Sequence, residues 1–247
     1  MNFLLSSFLC LNPIECFTLK PMKLYHLFLV LLTSFSLVEA ANTQPPSHPK
    51  TLLALGDSYT IGEGVDEPSR WPNQLVAELN KEKQQFEQPT ILAKTGWTTD
   101  ELLAALDQAS LAASFDYVSL LIGVNNQYRG RSVASFEPEF TALLERAISY
   151  SNRKANGVFV VSIPDWGVMP FAEGRDARKI ALEIDTYNKS IERICKIYGV
   201  RFFDITEISR KASETPSFVA SDGLHPSGEM YAAWVNEVRS FFKSAQQ

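Results

Sequence analysis

Three side chains far apart in this sequence could together make a hydroxyl reactive. Ser58 follows the apolar run Leu52-Leu53-Ala54-Leu55 and the turn residues Gly56-Asp57. A serine at the end of a buried strand can be a nucleophile, a phosphate contact or a helix cap. A neutral serine attacks poorly and needs a base beside it. Of the histidines, His26 lies in an N-terminal apolar segment and His48 in a proline-rich stretch, which leaves His225 for the folded domain. Asp222 stands three residues before it, in Ser221-Asp222-Gly223-Leu224-His225. That spacing lets one turn bring the carboxylate to the imidazole Nδ1. The other ring nitrogen is then free to take a serine proton.

Attack by a serine on an acyl carbon creates an oxyanion, and donors must be fixed where that charge develops. The backbone N–H of Ser58, the backbone N–H of Gly96 and the side-chain amide of Asn125 are suitable donor types. The elements that must bring these groups together can be read from hydrophobic periodicity. Short strands are expected at 51–55, 90–94, 117–122, 158–163 and 201–204, each ending in turn residues. Helical patterns lie between them: 71–83, a segment capped by Thr98 or Thr99, 136–152, 175–198, and 227–242 after the last strand. Alternation of this kind predicts a parallel sheet between two helical layers, a three-layer α/β/α sandwich. Right-handed crossovers send every strand's C-terminal end to one edge. Gly56-Asp57-Ser58, Gly96, Gly123-Val124-Asn125 and Asp165 should gather there. In a flavodoxin-like order, 2-1-3-4-5, Ser58 and Asn125 face each other at the switch point.

The composition is that of an ordinary globular domain: 247 residues, 45% hydrophobic and 21% charged. A net charge of −5 without a basic stripe argues against a nucleic-acid partner. Residues 1–40 are expected to be a secretory signal: Met22-Lys23, an apolar run from Leu24, and small residues up to Ala40. Met22 is the expected initiator. The apolar run is short of the roughly 20 residues of a membrane span, so no stable span is expected after cleavage, and the mature protein is expected in the periplasm or outside the cell. Residues 41–50 read as a linker because of Pro45, Pro46 and Pro49, and the domain is expected over 51–247. Loss of the signal removes Cys10 and Cys16 and leaves Cys195, which sits in a helical pattern and reads as a packed thiol.

At these residues the chain resembles the SGNH hydrolases, also called the GDSL esterase/lipase family. Gly56-Asp57-Ser58-Tyr59 is similar to the family's first block, with Ser58 as nucleophile. Gly96 matches the glycine of the second block and Asn125, in Gly123-Val124-Asn125-Asn126, the oxyanion amide of the third. Asp222 and His225 match the Asp-x-x-His of the fifth. The resemblance covers residues 52–242 and implies hydrolysis of a small-molecule, lipid or glycan carboxylic ester, with neither metal nor organic cofactor. Asn126 departs from the aspartate common in the family and is expected to support the loop. Trp97, Trp166, Met169 and Phe171 are candidates for the substrate pocket, and Tyr128, Arg129 and Arg131 lie in the loop after Asn125. The arginines read as solvated. The competing reading is a non-enzymatic flavodoxin-like module that binds a phosphate or nucleotide around Gly56, Gly62 and Gly64. An inactive hydrolase scaffold serving as a surface interaction protein is a further reading, disfavoured by the complete residue set.

Overall fold

A computed structural model describes residues 48–244, with the side chains of 243 and 244 left out. The expected signal, the alternative start at Met22 and most of the linker lie outside the described residues. Five parallel strands form one sheet in the order β2-β1-β3-β4-β5. They are β1 (Leu52–Gly56), β2 (Thr90–Ala93), β3 (Tyr117–Leu121), β4 (Val158–Val161) and β5 (Arg201–Phe203). All residues of β1, β3 and β4 are buried, whereas the edge strands β2 and β5 are largely not. Near-continuous apolar runs in the centre are what helical cover on both faces requires.

The helices are α1 (Ser58–Ile61), α2 (Trp71–Lys81), α3 (Thr99–Gln108), α4 (Val124–Tyr128), α5 (Val133–Tyr150), α6 (Ala177–Tyr198), α7 (Thr206–Arg210), α8 (Gly228–Val238) and α9 (Ser240–Ser244). The connection from β1 to β2 runs one way along the sheet, and the later connections run the other way. Right-handed crossovers therefore put α2 on one face and α3, α5 and α6 on the opposite one. Accordingly α2 packs with α8, and α5 packs with both α3 and α6. The result is the three-layer α/β/α sandwich that the alternation implies.

Several boundaries differ from the periodic pattern for local reasons. Helix α2 stops at Lys81 because Lys83 and Gln85 turn the chain with φ of 64° and 53°. Helix α5 starts at Val133, capped by the Ser132 hydroxyl, which accepts the Ser135 N–H. The last helical stretch breaks at Arg239. Beyond it, in α9, Phe241 and Phe242 both lie against Tyr117 and Phe159, with ring centroids 4.8–6.0 Å apart. Lys50, expected in the linker, already bridges to Phe86 beside the sheet.

Register places Gly56 beside Ala93 on one side and Leu121 on the other, so three strands end together. A Cβ on Gly56 would come within 2.5 Å of the Leu121 carbonyl oxygen and closer still to Thr60. Neither neighbour is a flexible chain end. Gly56→Ala is expected to cost about 1–3 kcal/mol through overpacking alone, read as a fall in Tm of several degrees by calorimetry.

Candidate active site

The sharp exit from β1 begins with Asp57, which caps α1: its Oδ1 accepts the Tyr59 N–H at 3.0 Å. Ser58 is thus the first residue of a one-turn helix and not its cap. The N–H groups of a first turn have no intrahelical partner, so the Ser58 N–H is free for a ligand. Its side chain is 4% exposed, borders a cleft and makes no hydrogen bond within the protein.

Asp222 and His225 come from the turn before α8. Asp222 Oδ1 accepts the N–H groups of Leu224 and His225, both at 2.9 Å. Its Oδ2 lies 2.6 Å from His225 Nδ1. Burial works against the Asp222 charge, but the His225 and Leu224 N–H groups and the imidazole outweigh it and hold the carboxyl below its ordinary value. The imidazole is buried, tilted against the Tyr59 ring at 5.3 Å. The turn is tied to the loop after β4 by the Phe171 N–H, which donates to the Gly223 carbonyl at 2.9 Å.

Opposite these groups, α4 opens with Val124 directly after Gly123 and carries Asn125 in its first turn. One N–H of the Asn125 amide donates to the Trp97 carbonyl at 3.0 Å, which fixes its orientation and leaves the second N–H to offer. Gly96 occupies a turn closed by the Trp97 N–H and the Lys94 carbonyl. Its φ of +87° is a glycine conformation, and a Cβ would meet only the Arg129 guanidinium at 3.9 Å. Asn126 is buried and pins α4 to the start of α3, accepting the Thr99 N–H at 3.1 Å and donating to the Thr99 hydroxyl at 2.7 Å. Its work is structural, as expected of a loop support.

Ser58, Gly96, Asn125 and His225 share one cleft of about 180 Å³. Asp222 stands behind the imidazole. Trp166, Phe171 and Tyr128 form an apolar wall. Trp97 and Met169 do not line it, against expectation. Met169 turns inward between two short 3₁₀ turns and is 3% exposed in the core. Trp97 packs on the core and serves the site through its carbonyl. Asp165 is also inside, accepting from Gly167 N–H and from Arg210. The arginines are not simply solvated: Arg129 donates to the Gly96 carbonyl at 2.7 Å and pairs with Glu101, and Arg131 pairs with Asp100 at 2.6 Å.

Other contributors carry no sequence signal. Tyr59, Thr95, Val124 and Leu224 line the cleft. Gln127 accepts the Trp166 indole N–H at 2.8 Å and donates to Glu183, which fixes the wall. Gly64, with φ of +82°, lets the chain pass within 3.1 Å, at its would-be Cβ, of Asp222 Oδ2. Gly62 packs on Arg70. The glycine-rich turn is therefore filled by protein and faces a carboxylate, a poor cradle for phosphate. Cys195 is buried in the core, and burial pushes its thiol up to about 12. No helix among the described residues is long and apolar enough to cross a membrane.

A sequence model described as the GDSL-like Lipase/Acylhydrolase family matches residues 54–233. No curated protein sequence matches the chain. Solved structures share its fold. A member of the lipolytic protein G-D-S-L family from Veillonella parvula DSM 2008 has a TM-score of 0.60 at 14% identity, covering 78% of this chain and 98% of that one. Axe2, an acetylxylan esterase from Geobacillus stearothermophilus, has a TM-score of 0.62 at 18% identity, covering 78% and 94%. The psychrotrophic esterase EstA from Pseudoalteromonas sp. has a TM-score of 0.57 at 17% identity, covering 80% and 98%. At these identities the likeness is one of fold.

Asp57 yields a pH effect on stability. Burial, partly offset by the Tyr59 N–H, pushes its carboxyl from 3.8 up to about 7. Between those values the folded chain holds a proton that the unfolded chain has lost. Stability from this group is thus full below about pH 4 and is lost as pH rises towards 7. Asp57→Asn keeps the cap acceptor without the charge. Its Tm relative to the parent is expected to be higher at about pH 8 than at about pH 5, measured by thermal unfolding at both.

Proposed function

Because the chain belongs to the GDSL-like lipase/acylhydrolase family and is an ester hydrolase, we propose that Ser58 is its nucleophile and that His225 and Asp222 activate it. The observation that carries this reading is the 2.6 Å Asp222–His225 pair bordering the cleft that holds the unbonded Ser58 hydroxyl. His225 Nε2 takes the Ser58 proton as Oγ attacks the acyl carbon. The new oxyanion is held by the Ser58 N–H, the Gly96 N–H and the free N–H of Asn125. The charged imidazole, stabilised by Asp222, returns the proton to the departing alcohol oxygen. Water enters, gives a proton to His225 and attacks the acyl-enzyme, and the Ser58 hydroxyl is restored as the acid leaves.

No separate lid segment stands over the cleft among the described residues, and small or soluble esters are the favoured substrates. Acetylated glycans remain within the class, as Axe2's name indicates for that protein. Export would put the enzyme among envelope and extracellular substrates.

Ser58→Ala is expected to abolish turnover of p-nitrophenyl acetate with an unchanged circular dichroism spectrum and Tm; retained turnover refutes the assignment. Asn125→Ala is expected to lower kcat about 10²–10³-fold, with a smaller change in KM, in steady-state kinetics. Intact mass of protein recovered outside the cytoplasm is expected to correspond to a chain starting at Ala41.

A further inference from the structure

The two arginines of the loop after Asn125 have acidic partners. Arg129 pairs with Glu101, and Arg131 with Asp100. Arg175, exposed at the start of the segment leading into α6, has none. Its guanidinium instead sits against the aromatic wall, 5.2 Å from the Tyr128 and Trp166 ring centres and 5.4 Å from that of Phe171. One N–H donates to the Tyr128 hydroxyl at 3.2 Å. Each of those rings borders the cleft that holds Ser58. Tyr128 and Phe171 are also 46% and 43% exposed, so the wall reaches the cleft's mouth.

Three rings within cation–π reach hold a guanidinium in place without neutralising it. Its planar fork has five N–H donors, and four remain for a ligand. A carboxylate or phosphate matches that fork, and a pre-positioned partner reduces the ordering cost of binding. We propose that Arg175 forms an anion subsite at the mouth of the cleft. It selects esters that carry a carboxylate or phosphate beside the scissile bond. The inference rests on the reading of Ser58 as nucleophile.

Two matched substrate pairs separate the sources of the anion. p-Nitrophenyl hemisuccinate against p-nitrophenyl butyrate places the charge on the acyl side. 1-Butyrylglycerol 3-phosphate against 1-butyrylglycerol places it on the alcohol side. In at least one pair, Arg175→Gln is expected to lower kcat/KM for the anionic ester about 10–100-fold, with the neutral ester within about twofold. Arg175→Lys, which keeps the charge but not the fork, should restore only part of the loss, and added salt should weaken the preference of the parent. If Arg175→Gln affects charged and neutral esters alike, the guanidinium only braces the wall and the subsite is overturned. The same holds if it affects none of them. These results leave the Ser58 reading intact. If Ser58→Ala retains turnover of the esters that the parent hydrolyses, the Ser58 reading fails, and the subsite falls with it.

Discussion

Between Gly56 and the carbonyl of Leu121 there is no room for a methyl group, and the site depends on that contact. It lets β1 and β3 end side by side, with Gly56 paired to Leu121 in register. From there each chain has only a few residues to reach the cleft. β1 passes through the Asp57 cap to Ser58, and β3 passes through Gly123 to Asn125. Parallel order brings β2 to the same edge and places Gly96 beside them. These groups are therefore positioned by the backbone geometry at the ends of three neighbouring strands.

The remaining half of the site arrives from the far end of the chain. A four-residue stretch fixes Asp222 to His225 through two backbone N–H groups and the ring itself. That stretch is stitched to the loop after β4 by one hydrogen bond from Phe171. It is also approached closely by Gly64, from the turn that follows Ser58. The same loop after β4 supplies two rings of the cleft wall. The Asp222 turn and the aromatic wall of the cleft are thus held by one set of contacts.

The sequence made the strands, their order and the polar groups at their ends legible, because central parallel strands are apolar throughout and stop abruptly. The one-turn helices α1, α4 and α7 were not legible, since a single turn has no period. The break at Arg239 was hidden for a related reason: the hydrophobic pattern continues through it. Trp97 and Met169 show why pocket residues are harder to read than donors. A large apolar side chain after a strand fits a core as well as a cleft, and the turn geometry decides. The roles of Gly64 beside Asp222 and of Arg175 were not legible for another reason. Their importance lies in residues about 160 and 50 positions away, respectively, which only the fold brings near.

The central claim is that one serine of this chain is activated. A fluorophosphonate probe forms a stable bond with an activated serine and leaves ordinary hydroxyls unmodified. Peptide mass spectrometry after labelling should find a single adduct, on Ser58, and His225→Ala should prevent it in protein that remains folded. An unlabelled chain, or an adduct on another serine, would contradict the site described for this hydrolase.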